Sequence, residues 1–284
     1  MSDRRAGALL LLPMLLVLGV TTLWPLLSAV WLSLFDWNWG REMSWVGLRN
    51  YARLLGDPEW WLVLRNTVVF AVSATAVELV LGLALALVVD RLGFGAGFVR
   101  TILLVPLMVA GIIVAMMARV LLDAFLGIVN WLLSLLGLGP WPFLGGEHSA
   151  MATIVAIDAW WQTAFVFIVL LAGLQSLPRE PAEAARLDGA SSWQVFRHVT
   201  LPLLRPVLLT VLLIRTIDTL KVFDIVFGTT GGGPRLATEV VQTYAYRTAY
   251  AVLEISKAMT IMVVFSVIVT GLCLVLARLG RERA

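Results

Sequence analysis

Six charged side chains lie inside long apolar stretches of this sequence: Glu78, Arg119, Asp158, Arg215, Asp218 and Lys221. Charges are costly in an apolar environment, and within membrane spans they usually face the protein interior or a water-filled path. Arg215, Asp218 and Lys221 follow one another at intervals of three, which would give a helix one broad polar face. Two interpretations are open: an internal set of ion pairs that holds helices together, or the lining of a path for a polar solute.

A second group of polar and aromatic side chains occupies one turn and comprises Asp158, Trp160, Trp161 and Gln162. Indole rings cover the C–H faces of sugars while carboxylates and amides bind sugar hydroxyls, so these residue types suit a carbohydrate. Tryptophan at a membrane boundary is also simply an anchor. Together with Arg215, Asp218 and Lys221, and with Asp224 further along the chain, these residues are the candidates for a substrate path.

The sequence offers little for catalysis or for binding metals and nucleotides. The single cysteine, Cys273, has no partner for an internal disulfide. The two histidines, His148 and His198, have no Cys or His at ligand spacing, so we expect no metal site. The triple glycine at 231–233 lacks the Lys-Ser/Thr ending of a phosphate-binding loop, and neither GxxxxGKS nor GxxxxGKT occurs in the chain. We therefore predict that the chain is not an enzyme and binds no cofactor.

The composition places most of the chain in lipid. Of its 284 residues, 60% are hydrophobic and 14% are charged, whereas about 25% are charged in an ordinary soluble domain. The mean hydropathy is +0.93. A net charge of +3, with the arginines scattered, gives no basis for nucleic-acid binding. We predict an all-α polytopic membrane protein with a single transmembrane domain over residues 1–284.

Six apolar stretches are each long enough to cross a bilayer, for which about 20 residues are needed. The first exceeds the roughly 7–15 apolar residues of a signal-peptide core, so we expect it to remain in the mature protein. Pro13 and Pro25 are expected to kink it. The predicted spans cover residues 6–35, 68–89, 101–122, 151–174, 203–227 and 258–277.

Lysine and arginine set the predicted orientation. The connections at residues 90–100 and 179–198 lie on the same side as both termini, and that side carries more Lys and Arg than the other. Cytoplasmic loops carry an excess of these residues. We therefore predict that both termini and the connection at 179–198 are cytoplasmic.

A polar island at residues 179–202 separates two of these spans. Pro181 and Glu183 suit the first turn of a helix, since proline lacks an N–H that would be unpaired there and a carboxylate complements the positive helix end. Ala184 and Ala185 favour helix and have little bulk, so a partner's surface could approach the backbone closely.

The rest of the island predicts a second short helix. Gly189 permits a sharp break, and Ser191 with Gln194 three residues later has the spacing of a capping box. This helix would carry Trp193, Val195 and Phe196 and would end at Leu201-Pro202. The predicted unit is a helix, a glycine elbow and a helix, fixed at both ends to membrane spans, which would let it transmit a push.

This pattern resembles the EAA loop of the permease subunits of binding-protein-dependent ABC importers. Glu183-Ala184-Ala185 is followed after three residues by Gly189 and after nine more by Val199-Thr200-Leu201-Pro202, with Val199 where isoleucine is usual. In that family the loop forms a coupling helix that docks into a groove on the cytoplasmic ATPase. We call residues 179–202 the coupling segment. The resemblance implies ATPase-coupling roles for Glu183, Ala184, Ala185, Asp188, Gly189, Ala190, Trp193, Phe196 and Pro202.

Two further segments resemble the sugar-type permeases of this family. Gly47 to Leu55, with Asp57-Pro58 and Asn66-Thr67 after it, resembles the loop before the second helix. The stretch from Phe223 to Pro234 resembles the outer loop that follows the EAA-linked span, which in this family faces the solute-binding protein. Gly231, Gly232, Gly233 and Pro234 are accordingly candidate contacts with that protein, and a flexible surface turn is the alternative.

The resemblance covers nearly the whole chain. It implies a multi-pass permease subunit in the plasma membrane of a prokaryote that carries a sugar or sugar-like solute by alternating access. The partners that it implies are a second permease subunit, two cytoplasmic ATPase subunits that use ATP and Mg²⁺, an extracytoplasmic solute-binding protein and membrane lipid. The residues themselves leave one alternative, an ion-coupled secondary transporter with Asp158 or Asp218 as its coupling site.

Overall fold

The computed structural model describes residues 3–281, with side chains placed for residues 11–276 and for residue 278. The elements in chain order are α1 (Asp3–Leu18), α2 (Trp24–Ser33), β1 (Phe35–Asp36), β2 (Ser44–Trp45), α3 (Arg49–Leu55), α4 (Pro58–Asp90), α5 (Ala96–Leu104), α6 (Gly111–Leu121), α7 (Ile128–Leu135), α8 (Ser149–Ser176), α9 (Glu180–Leu187), α10 (Ser192–Val195), α11 (Leu201–Leu220), α12 (Asp224–Thr229), α13 (Val241–Tyr250) and α14 (Ile255–Arg281). The two strands form one short antiparallel pair. The described residues form two compact units, one made of residues 3–62 with Tyr244–Ile268, and the other of Val63–Thr243 with residues 269–281.

The predicted fold class is confirmed. Five helical segments between residues 3 and 281 are long and apolar enough to cross a membrane: Leu11–Ser33, Pro58–Asp90, Ser149–Ser176, Ser192–Leu220 and Ile255–Leu276. A bent pair, Ala96–Met108 with Gly111–Leu121, makes a sixth crossing if its two helices count as one span.

The first predicted span, residues 6–35, consists of α1 and α2 joined by a π-helical turn at Gly19–Leu23. The Trp24 amide donates to the carbonyl of Gly19, five residues back. This widened turn precedes Pro25, whose ring would otherwise crowd the carbonyl four residues earlier. Pro13 lies inside α1, which continues without interruption.

In the first unit, polar contacts tie the segment before α4 to the start of α14. The Ser256 hydroxyl accepts from the Trp37 amide at 3.0 Å, and Lys257 Nζ lies 3.1 Å from Asp57 Oδ2. The Tyr244 hydroxyl donates to that same oxygen at 3.3 Å. Burial alone would raise the pKa of the Asp57 carboxyl, but a backbone amide and the lysine ammonium outweigh burial and hold the pKa below its usual range.

In the second unit, glycines let three long helices approach closely. A Cβ on Gly82 of α4 would lie 2.5 Å from Val166 Cγ1 of α8, and one on Gly173 of α8 would lie 2.9 Å from Val207 Cγ1 of α11. Small residues allow such backbone approaches between membrane helices. The buried side chains of this part of the core include Phe167, Leu170, Leu171, Leu204 and Val211. Helices α4, α8 and α11 are therefore held together, and their polar side chains meet.

The third predicted span, residues 101–122, is not one continuous helix. Its two halves meet at 92°, with Pro106 in a 3-10 turn between them, where proline cannot donate a helical hydrogen bond. The indole of Trp161 donates to the carbonyl of Val109 at 3.1 Å. A carbonyl that the break leaves without a helical donor is thereby satisfied.

The fifth predicted span, residues 203–227, is too long. Helix α11 ends at Leu220, Lys221 follows as its C-cap, and a separate helix begins at Asp224. No glycine or proline marks this end in the sequence, so the apolar run overestimates the helix. Lys221 therefore lies beyond the helical face that carries Arg215.

Candidate functional site

The coupling segment begins with α9, which has Pro181 in its first turn. Helix α9 ends in a Schellman motif, because the Ala190 amide donates to the Ala185 carbonyl at 2.9 Å and the Gly189 amide donates to the Arg186 carbonyl at 3.1 Å. Gly189 has a φ of +86°, and no atom lies within 4 Å of a Cβ built on it. Backbone conformation, and not crowding, therefore requires glycine at the elbow.

Helix α10 starts with the predicted capping box. The Ser191 hydroxyl accepts from the Gln194 amide at 3.3 Å, and the Gln194 side-chain oxygen accepts from the Ser191 amide at 2.7 Å. Two backbone amides at the start of the helix are thus satisfied by side-chain oxygens within the turn. This prediction is confirmed.

The prediction that Leu201-Pro202 ends the second helix is wrong. Helix α10 continues through a π-helical turn at Phe196–Thr200 into α11, giving one helical run from Ser192 to Leu220. The Leu201 amide donates to the Phe196 carbonyl, five residues back. The widened turn accommodates the proline ring, as it does before Pro25. The coupling segment is therefore joined to the next span without a loop.

Two large apolar side chains of the coupling segment face outward. Leu187 is 89% exposed and Trp193 is 65% exposed, and the Trp193 ring lies 5.4 Å from that of Phe196. Exposed apolar side chains of this size can pack against the surface of another protein. Of the residues predicted to couple, Glu183, Ala184, Asp188, Gly189, Trp193 and Pro202 are exposed, while Ala185, Ala190 and Phe196 are partly buried.

The charges inside the second unit meet around Arg215 of α11. Its Nε and Nη2 atoms donate to the two carboxylate oxygens of Glu78 at 2.5 and 2.9 Å, and Nη2 donates to Asp158 Oδ2 at 3.2 Å. Asp218 Oδ2 lies 3.7 Å from Nη1. We call these four residues the Arg215 cluster. It joins α4, α8 and α11, so the ion-pair interpretation describes Arg215 and both aspartates.

Glu78 is the member of this cluster that is not among the predicted site residues. Its side chain has no solvent exposure, and that of Arg215 is 3% exposed. A bidentate carboxylate–guanidinium pair is the strongest arrangement available to these groups. Charge balance in the sequence could have predicted this pair. A lone glutamate in one apolar run requires a cation from another run.

A cavity of about 330 Å³ adjoins the Arg215 cluster. The predicted path residues that line it are Asp158, Trp161, Gln162, Arg215, Asp218, Lys221 and Asp224. Trp160 is not among them, because it lies in a separate apolar groove and is 58% exposed. Successive residues of a helix point about 100° apart, so neighbouring tryptophans serve different surfaces.

The glycine-rich loop after α12 is bonded to itself. The Thr238 hydroxyl lies 2.7 Å from the Thr230 hydroxyl and donates to the Gly233 carbonyl at 2.6 Å. Gly232 has a φ of +93°, and a Cβ there would lie 2.7 Å from Glu239 Cδ. Gly231 is exposed, Gly233 and Pro234 are partly buried, and Gly232 is buried. These internal hydrogen bonds give the loop a defined conformation, in contrast to the alternative of a flexible surface turn.

Asn66 and Thr67 of α4 hold the end of this loop. The Asn66 amide donates to the Leu236 carbonyl at 2.8 Å, and the Thr67 hydroxyl accepts from the Val241 amide at 3.0 Å. Both side chains are buried, so they satisfy backbone groups that water cannot reach. This gives a physical reason for a polar pair at the start of an apolar run.

No group of three or more His, Cys, Asp or Glu side chains within residues 3–281 is placed to hold a metal ion. His198 is exposed, and its Nδ1 lies 3.1 Å from the Gln194 carbonyl.

A family model described as the inner membrane component of binding-protein-dependent transport systems matches residues 79–280. The chain belongs to this family. The predicted family is thereby confirmed, and with it the prediction that the chain is a transport component and not an enzyme. Membership also decides against the ion-coupled secondary transporter.

Relatives of this permease extend over most of its length. It is 39% identical to the trehalose/maltose transport system permease protein MalF of Thermococcus litoralis, over 99% of this chain and 95% of that protein. It is 34% identical to the trehalose transport system permease protein SugA of Mycobacterium tuberculosis, over 82% and 75% of the two chains. It is 32% identical to the sn-glycerol-3-phosphate transport system permease protein UgpA of Agrobacterium fabrum, over 93% and 90%.

The fold of this permease also matches solved structures. A bacterial ABC transporter involved in the import of the acidic polysaccharide alginate aligns with a TM-score of 0.86, covering 99% of this chain and 96% of that chain at 23% identity. A bacterial alginate ABC transporter in complex with an alginate pentasaccharide-bound periplasmic protein gives a TM-score of 0.87, covering 98% of this chain and 96% of that chain at 22% identity. At these identities the likeness concerns the fold.

Proposed function

We propose that this permease is one of two membrane chains of an importer that carries a sugar or sugar-like solute across the plasma membrane of a prokaryote. Two partner ATPase subunits would drive the import. The observation that carries this proposal is the continuous helical run from Ser192 to Leu220. One end belongs to the exposed coupling segment, and the other carries Arg215 and Asp218 at the cavity. A displacement of the coupling segment would be transmitted to the cavity along this one helical run.

The coupling segment would receive the work of the ATPase. Leu187 and Trp193 offer apolar area to a groove, and the small side chains Ala184 and Ala185 allow that groove to approach the α9 backbone. Glu183, Asp188, Gly189, Ala190, Phe196 and Pro202 complete this surface. ATP and Mg²⁺ would be bound by the ATPase, because this sequence has no phosphate-binding motif.

The cavity beside the Arg215 cluster would form part of the solute path. Its volume of about 330 Å³ lies at the lower end of small-molecule sites, which run from roughly 300 to 1,000 Å³. Trp161 offers an aromatic face, while Gln162, Asp218, Lys221 and Asp224 offer groups that bind hydroxyls. Closure and opening of the ATPase pair would alternately expose this path to either side of the membrane. The relatives named for trehalose and maltose support a sugar as the solute.

The glycine-rich loop would face the solute-binding protein on the outer side. Gly231 is exposed at its tip, and the exposed Arg235 pairs with Glu147 at 3.2 Å. Gly233 and Pro234 would add backbone contacts, while Gly232 would hold the loop in shape. This assignment requires both termini and the coupling segment to be cytoplasmic, as the distribution of Lys and Arg favours.

Reconstitution tests the proposal. The permease, its partner permease, the ATPases and the binding protein from neighbouring reading frames would be placed in liposomes, and uptake of labelled trehalose and maltose would be measured. We expect uptake that requires both ATP on the ATPase side and the binding protein. Uptake driven by a proton or sodium gradient without ATP would overturn the proposal.

A further inference from the structure

The ionisable groups around the cavity indicate which class of sugar this permease accepts. The cavity is lined by three carboxylates and two cations: Asp158, Asp218 and Asp224 against Arg215 and Lys221. Glu78 stands behind Arg215 and adds a fourth carboxylate. Even with Glu78 and Asp158 sharing one proton beside Arg215, three carboxylates face two cations, and the surroundings of the cavity carry a net negative charge.

Arg215 is not available to bind an acidic solute. Its guanidinium is 3% exposed and already donates to Glu78 and Asp158. Acidic groups on ligands are best held by the two parallel N–H groups of an arginine. Here that fork is occupied by Glu78, so the group best suited to a phosphate or a uronate is already taken.

Lys221 is the remaining cation at the cavity, and its position weakens its electrostatic attraction for an anion. It directly follows the last residue of α11, where the C-terminal end of the helix carries a partial negative charge. Asp218, whose side chain is 51% exposed, lies three residues before it, and Asp224 lies three residues after it. A solute approaching Lys221 therefore meets two carboxylates as well.

We infer that this cavity selects uncharged or cationic sugars and disfavours acidic ones. The inference rests on the proposed function, since it requires the solute to pass this cavity. Carboxylates accept hydrogen bonds from sugar hydroxyls or from the ammonium of an amino sugar. They repel a phosphate or carboxylate, and low-dielectric walls strengthen that repulsion. The solute would accordingly differ in charge from those in the names of the glycerol-phosphate relative and of the alginate transporter.

A thiol probe in the cavity tests the charge directly. Cys273→Ser removes the single native thiol, and Gln162→Cys then places one on the cavity wall of the assembled transporter. Its modification by a cationic trimethylammonium-ethyl and by an anionic sulfonatoethyl methanethiosulfonate would be followed by mass spectrometry of this chain. We expect the cationic reagent to react faster by roughly tenfold or more, relative to free cysteine, as a local excess of carboxylates requires.

The control thiol is Leu138→Cys, which is exposed in a stretch without charged residues between Asp123 and Glu147. It should react with both reagents in the ratio of free cysteine. Asp218→Asn combined with Asp224→Asn should bring the ratio at Gln162→Cys towards that of the control. A rate ratio at Gln162→Cys equal to that of free cysteine, in the chain whose other change is Cys273→Ser, would overturn the inference.

An uptake measurement separates this inference from the proposed function. The reconstituted transporter would be given maltose, trehalose and the acidic analogue maltobionate. We expect ATP-driven uptake of a neutral disaccharide that exceeds that of maltobionate by roughly tenfold or more. Comparable uptake of the acidic analogue would refute the charge selectivity while leaving the importer assignment intact. Absence of ATP-driven uptake for every sugar would instead refute the importer assignment, and the thiol ratio would still report the charge of the cavity.

Discussion

The coupling segment and the Arg215 cluster satisfy their polar groups in opposite ways. The hydrogen bonds that shape the coupling segment join residues at most five positions apart, and its apolar side chains Leu187 and Trp193 face outward. In the Arg215 cluster, the partners of Arg215 on α4 and α8 are 137 and 57 positions away, and they are buried. In the proposed function the coupling segment is a surface for another protein, whereas the cluster is an internal joint between three helices.

This difference separates two kinds of mutational effect. Changes in the coupling segment should uncouple transport from ATP hydrolysis while the fold persists, because few tertiary contacts depend on it. Changes in the cluster should destabilise the bundle, because an unpaired charge would remain in its interior. The helical run from Ser192 to Leu220 belongs to both regions, so each prediction below tests whether the two effects stay distinct.

Arg215→Met should cause the largest loss of stability. It leaves Glu78 and Asp158 buried together without a cation, and breaking a buried ion pair costs about 3–5 kcal/mol. Thermal unfolding of the purified transporter in detergent measures the loss. The matched control is Arg235→Met, which removes an ion pair whose arginine is 86% exposed and should change stability by no more than about 1 kcal/mol. Equal losses in the two variants would show that the cluster is not an internal joint.

Gly189→Val should abolish most transport while the transporter still assembles. A β-branched residue strongly disfavours the positive φ of the elbow, and left-handed backbone costs roughly 1–2 kcal/mol, equivalent to about a tenfold effect. We expect ATP-driven uptake to fall by roughly tenfold or more, with little change in unfolding temperature. Gly189→Asn is the control, because asparagine tolerates positive φ and should retain most uptake. Normal uptake by the valine variant would contradict the role of the elbow.

Trp161→Ala and Trp160→Ala should differ although the residues are adjacent. Trp161 lines the cavity and donates to the carbonyl of Val109, so its loss should raise the KM for uptake by roughly fivefold, the equivalent of about one hydrogen bond. Trp160 lies in another groove, and its loss should leave KM unchanged. The KM values of both variants in reconstituted uptake measure this. A larger effect at Trp160 would reassign the solute path.

Ser191→Ala should have the smallest and most local effect. It removes the N-cap of α10, which is worth about 1 kcal/mol. Faster hydrogen exchange at the Gln194 amide, with no change in the Arg215 cluster, is the expected result. The control is Ser192→Ala, one position further along, because the capping hydroxyl belongs to Ser191 and stays in place in this variant. Faster exchange throughout α11 would mean that the two regions are not separable.

The parts of the structure that depend on neighbouring residues could be predicted from the sequence. Ser191 and Gln194 form their capping box, and Gly189 takes the left-handed conformation, because each depends on the chain within one helical turn. The glycine elbow and the capping box of the coupling segment could therefore be predicted. Its continuation past Pro202 was missed, since a π-helical turn that accommodates proline leaves no mark in a composition pattern.

The parts that depend on distant residues could not be predicted. Nothing near Glu78 indicates that its partner is Arg215, and nothing near Trp161 indicates that it satisfies the carbonyl of Val109 across a broken span. Lys221 was assigned to the same helical face as Arg215, because no residue type marks the end of α11. Packing of helices that are far apart in sequence determines these features.

The measurement that tests the central claim most directly is crosslinking of the coupling segment. Leu187→Cys in a Cys273→Ser background places one thiol on the most exposed large apolar side chain of the segment. In the assembled transporter, a short bifunctional reagent should join it to an ATPase subunit, and an impermeant thiol reagent applied to intact cells should leave it unmodified. Modification from outside the cell, or crosslinking that never includes an ATPase, would contradict the account.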